Sequence, residues 1–214
     1  MKTSRRQFLM SLVIGLIWLT LTVPAFGAWS TIYEHNGTVE VAQIITGSDG
    51  IYVAGTVNRT GNANIVVNKY NFDGSLAWPT AYEYDSGGGK KDEAYGLAQA
   101  SGGRIVVVGA TQNPTTGWNW KVICLSNSDG HMIWNKAILS DYEDKALCVA
   151  ADDSDNVYVA GYVTANDGYD FYQATEIRKW NVASKESIWM QYPGYQRRVA
   201  DTPMFIRTDN LGSL

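Results

Sequence analysis

IYVAGTV at residues 51–57, IVVVGAT at 105–111 and VYVAGYV at 157–163 decide how this chain is read. Their glycines, Gly55, Gly109 and Gly161, stand 54 and 52 residues apart. A second column keeps step with them: Trp29, Trp78, Trp134 and Trp189, at intervals of 49, 56 and 55. An Asp-Gly pair precedes two of these tryptophans, in NFDGSLAW (71–78) and NSDGHMIW (127–134); NVASKESIW (181–189) carries Ser184-Lys185 there instead. Separate columns at one period mark an internal repeat.

Each repeat divides into four strand-sized runs, which in the second copy are residues 94–100, 104–111, 120–126 and 133–139. Asp49-Gly50, Gly102-Gly103 and Asp155-Asn156 separate the first run from the second, and Asp73-Gly74 and Asp129-Gly130 the third from the fourth. Such pairs tolerate the positive φ of tight hairpins. The second run is apolar on both faces, so it should be covered on both sides. The expected fold is therefore all-β, a β-propeller of four-stranded antiparallel blades; a β-solenoid would repeat at a shorter period. An opening strand is expected at 29–35, blades at about 39–84, 92–139 and 144–193, and a partial blade at 198–214. About three and a half blades fall short of the roughly four to eight that close a ring. An open or incomplete ring is expected, belonging to a longer closed propeller whose last blade the strand at Trp29 would complete. The small residues at Gly55, Gly109 and Gly161 should mark close approach of neighbouring sheets, and the Trp column should fill the wider gap toward the rim. A Trp column could also form a sugar platform, though repetition in every blade is what packing requires.

The first 28 residues read as an address. Lys2, Arg5 and Arg6 precede an apolar run over 8–23, and Ala25 and Gly27 offer an A-x-G cleavage step. The run is also long enough to span a bilayer, so cleavage and retention as an anchor both fit. SRRQFLM at residues 4–10 resembles the bacterial twin-arginine signal with Met10 in place of Lys, which implies folding before export, although general export machinery can handle such signals too. An exported protein of the periplasm, cell envelope or extracellular space of a bacterium is expected, with no stable membrane span after cleavage.

Composition agrees with that reading and excludes others. The 214 residues are 45% hydrophobic and include 8 Trp, 13 Tyr and 21 Gly, enough apolar surface for a real core. The net charge of −4 includes the basic start, so the remainder is more acidic still and lacks the basic footprint of a nucleic-acid binder. Two cysteines exclude a disulfide scaffold. Cys124 and Cys148 fall in adjacent repeats and could be one disulfide or two buried thiols.

These residues resemble the bacterial SBBP-type β-propeller repeats, whose pattern runs K-Y-x-x-x-G-x-x-x-W, then D-x-A, then G-N-x-Y-V-x-G. Here Lys69-Tyr70, Gly74 and Trp78 match the first element, Asp92 and Ala94 or Asp144 and Ala146 the second, and Tyr52-Val53-Ala54-Gly55 or Asn156-Val157-Tyr158-Val159-Ala160-Gly161 the third. The resemblance covers the chain after residue 28 and implies a secreted or envelope-associated propeller, usually without assigned activity. The D-G-x-x-x-W element is similar to the tryptophan-docking repeats of quinoprotein propellers through shared packing, and no quinone site is carried over.

Function should sit where the repeats differ. The long connections (58–63, 112–118 and 164–170 inside blades; 85–91, 140–143 and 193–199 between them) vary, while the opposite turns stay alike. They offer Asn62, Asn113, Trp118, Asn119, Asn166, Tyr169 and Asp170, amide and aromatic groups that suit a glycan or a protein partner, or that are plain solvated loops. Asp92 and Asp144 share one repeat position; they could hold Ca²⁺ at a channel mouth, or accept N–H bonds from the neighbouring blade. Asp152-Asp153-Ser154-Asp155-Asn156 resembles half a calcium loop but works as a hairpin turn without an ion. No nucleophile motif, HExxH or phosphate loop accompanies His35 and His131. The expected function is a non-enzymatic binding or interaction scaffold without a required cofactor. The alternative is the propeller part of a quinoprotein-like envelope oxidoreductase whose catalytic parts lie beyond Leu214.

Overall fold

The computed structural model describes residues 36–166, 168–192 and 203–208. The signal (Arg5, Arg6, Ala25, Gly27), the opening strand with Trp29, and residues 193–202 and 209–214 of the last connection and partial repeat lie outside the described residues. Twelve strands and no helix occur among the described residues. They form three antiparallel four-stranded sheets in plain meander order. The first contains β1 (Thr38–Gly47), β2 (Gly50–Arg59), β3 (Asn62–Tyr70) and β4 (Tyr82–Tyr84); the second β5 (Asp92–Ala100), β6 (Arg104–Asn113), β7 (Gly117–Ser126) and β8 (Met132–Ile138). The third contains β9 (Lys145–Ala151), β10 (Asn156–Asn166), β11 (Phe171–Asn181) and β12 (Glu186–Gln191). The all-β, four-strands-per-repeat reading is thus correct for all three described copies.

Consecutive sheets stack through their first strands, β5 against β1, β2 and β3, and β9 against β5, β6 and β7. Each junction has its own core. Tyr52, Ala54, Ile65, Val67 and Trp78 of the first sheet meet Ala94, Leu97, Ile105, Val107 and Ile123 of the second. Val106, Val108, Trp120, Val122 and Trp134 of the second meet Ala146, Val149, Val157, Val159 and Trp180 of the third. Within β6 the apolar residues therefore serve the two junctions alternately, which is why this run does not alternate polar with apolar.

Trp78 and Trp134 close the two described junctions. Trp78 Nε1 donates to the Asn127 carbonyl at 2.9 Å, and Trp134 Nε1 to the Val182 carbonyl at 3.1 Å, each reaching the following sheet. Gly130, at φ 74°, completes an Asp-Gly turn and lies against the Trp78 ring, where a Cβ would sit 2.7 Å from Cε3.

The repeated glycines have a different cause from the one expected. In every sheet the first strand carries a one-residue bulge, at Ala42, Tyr95 and Leu147, and Gly55, Gly109 and Gly161 pair with the residue just before it. The bulge drives a carbonyl of the same sheet, that of Glu40, Glu93 or Lys145, into the space a Cβ would take. At Gly161 the neighbouring sheet presses in as well, through Trp120. The aspartates depart from expectation too. Buried Asp92 accepts from Thr111 Oγ1 at 2.5 Å on its own hairpin and from Ser86 N at 2.7 Å on the connection that enters the sheet. Buried Asp144 accepts from Thr164 N at 2.7 Å within its own sheet. Both tie off the connections rather than reaching across strands of the adjacent sheet.

Candidate functional site

Because every strand reverses, the β2–β3, β6–β7 and β10–β11 hairpins and the connections between sheets all lie at one end of the stack. All seven loop residues singled out above are at that end, but their surroundings differ. Asn119 is fully buried: Nδ2 donates to Thr116 Oγ1 at 2.9 Å and Oδ1 accepts from Ser140 N at 3.2 Å, so it fastens the hairpin to the next connection. Asn113 and Asn166 accept backbone N–H groups two residues on, at 2.9 and 2.7 Å, and so shape their own turns. Asn62 Nδ2 stands 3.4 Å from Asp85 Oδ2. Tyr169 and Asp170 are exposed at the β10–β11 tip.

Trp118 belongs to a connected polar group at this end. Lys145 Nζ lies 4.2 Å from the centre of its ring and donates to Tyr95 OH at 2.9 Å and Glu93 Oε2 at 3.2 Å. Tyr95 OH also donates to Glu93 Oε2, and Tyr162 OH to Glu143 Oε1 at 2.9 Å. Lys145 thus bridges two sheets, with Glu93 and Tyr95 on β5 and Lys145 itself on β9. Burial raises the phenols of Tyr95 and Tyr162, and their carboxylate partners Glu93 and Glu143 raise them further, so both remain neutral donors. A 330 Å³ cavity opens beside the group between Glu40, Thr56, Asn58, Glu93 and Tyr95. Two carboxylates and a phenol line this opening, and the Trp118 indole stands beside them across Lys145; such groups suit a ligand rich in hydroxyls, which takes hydrogen bonds at its edges and stacking on its faces.

Reading the loops alone misses Glu40, Glu93, Tyr95 and Lys145. Glu40, Glu93 and Lys145 occupy one repeat position, pairing with Thr56, Ala110 and Tyr162, each one residue past the repeated glycine. The available signal is adjacency: Glu93 and Lys145 directly follow Asp92 and Asp144, and a step of one along a strand turns a side chain to the opposite face.

Asp152 accepts from Ser154 N, Asn156 N and Tyr158 OH at 2.9 to 3.0 Å. Burial alone would raise its carboxyl, yet the Asn156 and Ser154 bonds hold it below the usual value. It is a self-contained hairpin turn. Cys124 and Cys148 are free, buried thiols, pushed by desolvation up to about 12 and about 11. Among the described residues no cluster of three or more His, Cys, Asp and Glu side chains is placed to hold a metal, and no helix is long and apolar enough to cross a membrane. No protein-family model and no curated protein matches the chain.

Proposed function

We propose that the chain is an exported β-propeller repeat protein that acts as a non-enzymatic binding scaffold at a bacterial cell envelope. Its binding end is the one that carries Trp118, Tyr95, Glu93 and Lys145. The single observation behind this reading is that Lys145 of the third sheet gathers Trp118, Tyr95 and Glu93 of the second at the variable end, where Tyr95 and Glu93 also line a cavity. Side chains held on strands are better preorganised for recognition than side chains on free loops. The uniform stacking of first strand on preceding sheet is the way blades follow one another in a propeller, and the twin-arginine-like start supports export. The chemistry favours a glycan over a protein ligand, because Trp and Tyr faces flanked by carboxylates match alternating sugar faces and hydroxyls.

The test is calorimetric titration of the mature protein with a panel of bacterial envelope polysaccharides. One or more should bind saturably, and Trp118→Ala and Tyr95→Phe should each weaken that binding about tenfold or more while leaving the unfolding midpoint within a few degrees. Absence of binding across the panel, or unchanged binding by Trp118→Ala, would overturn the assignment of this end to a glycan.

A further inference from the structure

The variable end carries a second aromatic station, on the third sheet and continuous with the Trp118 group. Phe171, the first residue of β11, is 62% exposed, yet its ring is held against Tyr142 in a T-shaped pair with centroids 4.9 Å apart. Tyr142 is itself fixed, because Ser140 Oγ accepts from its N–H at 3.1 Å and donates to its carbonyl at 2.8 Å. An aromatic ring kept in place while facing water loses little side-chain freedom when a ligand covers it.

The chain joins this station to Trp118. Asp144 N donates to the Trp118 carbonyl at 2.7 Å, and Glu143, one residue earlier, packs beside Gly117, where a Cβ would meet its Cβ at 3.7 Å. Glu143 adjoins Tyr142 in the chain and accepts the Tyr162 O–H at 2.9 Å, which orients its carboxylate; a carboxylate keeps further acceptor sites beyond one such bond. The order across this end is therefore indole, carboxylate, phenyl ring. Asp141, Glu143 and Asp170 make the surroundings of Phe171 acidic, while Lys145 is engaged with Glu93.

We propose that the ligand of this end is an unbranched, uncharged polysaccharide of equatorially linked rings, laid as a ribbon across the second and third sheets with one ring on Trp118 and a later one on Phe171. The proposal rests on the glycan reading above and extends it from one sugar station to a chain. Such a ribbon offers apolar ring faces to the aromatics and hydroxyl edges to the carboxylate between them. The acidic surroundings repel a polyanionic chain. Two stations reached by one ligand bind more tightly than either alone, because the second contact is intramolecular.

Calorimetric titration of the mature protein with cellobiose, cellohexaose and a β-1,4-linked hexaglucuronate tests it, the last being a charged chain of the same length and linkage. Cellohexaose should bind about tenfold or more tighter than cellobiose, and the hexaglucuronate no tighter than cellobiose. Phe171→Ala should bring cellohexaose down to the affinity of cellobiose, while cellobiose binding stays unchanged and the unfolding midpoint stays within a few degrees. Phe171→Trp restores a stacking face and should keep the dependence on chain length, whereas Trp118→Ala should weaken both sugars. Equal affinity for the two cello-oligosaccharides, full cellohexaose affinity in Phe171→Ala, or equally tight binding of the hexaglucuronate would overturn the chain proposal. If neither cello-oligosaccharide binds while an envelope polysaccharide still binds through Trp118, the chain proposal falls and the glycan reading stands. If no saccharide binds, or Trp118→Ala changes the binding of none, the glycan reading falls and the chain proposal with it.

Discussion

Lys121 is a buried cation whose perturbed ionisation stability can report. Its ammonium is buried between two sheets, and desolvation lowers its value from 10.5 to about 8, against the opposing pull of Asp92. In the unfolded chain the same group keeps its proton until pH nears 10.5, so between about 8 and 10.5 the unfolded state binds more protons than the folded one. Stability should therefore rise with pH across that interval, by an amount on the order of 3 kcal/mol at its full extent. Urea unfolding of the parent and of Lys121→Met at pH 7 to 10 checks this: the parent's midpoint should climb and the variant's should stay flat. Above pH 10 the raised phenols of Tyr52 and Tyr95 act the other way, since the unfolded state then loses protons first. No pattern in the sequence distinguishes Lys121 from a solvated lysine, because the groups that bury it, Tyr84 and Asn135, come from other strands and even another sheet.

At the scale of the element, the hairpin of first and second strands is governed by the bulge and its glycine. A side chain at Gly109 would collide with the Glu93 carbonyl of its own sheet, and a carbonyl held in a strand ladder cannot step aside as a flexible side chain can. Gly109→Ala should cost about 3 kcal/mol of unfolding free energy, measurable by denaturant titration, whereas Gly61→Ala, with open space around its Cβ, should cost only what its φ of 79° imposes, about 1 kcal/mol. The periodic glycine is plain in the sequence, but the bulge opposite it is not. Ala42, Tyr95 and Leu147 share no chemistry, so only the ladder's register reveals that each is the extra residue. In the first sheet, Pro79 follows Trp78, and the strand resumes only at Tyr82, since proline brings no N–H to the ladder.

For the molecule as a whole, burial depends on which sheet faces are covered. Ile44 on β1, Leu97 on β5 and Val149 on β9 hold one repeat position, pairing with Val53, Val107 and Val159. Leu97 and Val149, packed on a preceding sheet, are 1% and 7% exposed, while Ile44 is 59% exposed. Leu97→Ala should therefore cost about 3 kcal/mol, and Ile44→Ala less than about 0.5 kcal/mol, when both are measured by urea unfolding of the same protein. Equal costs would show that Ile44 is covered in solution.

The linear chain is enough to read the class of structure. The 52- to 54-residue spacing, the paired turn residues and the apolar runs specify four strands per repeat, and local backbone preferences with side-chain alternation suffice to read them. It also placed Trp78 and Trp134 at the junctions, because a residue repeated in every copy serves the contact repeated in every copy. Which polar residues meet depends on how the sheets are laid on one another. Lys145 reaches Glu93 and Trp118, and Lys121 reaches Tyr84, across 27 to 52 positions of chain. Such meetings are set by strand register and by the face each side chain takes when one sheet is laid on another. A one-residue bulge shifts both, and no spacing in the linear chain records it.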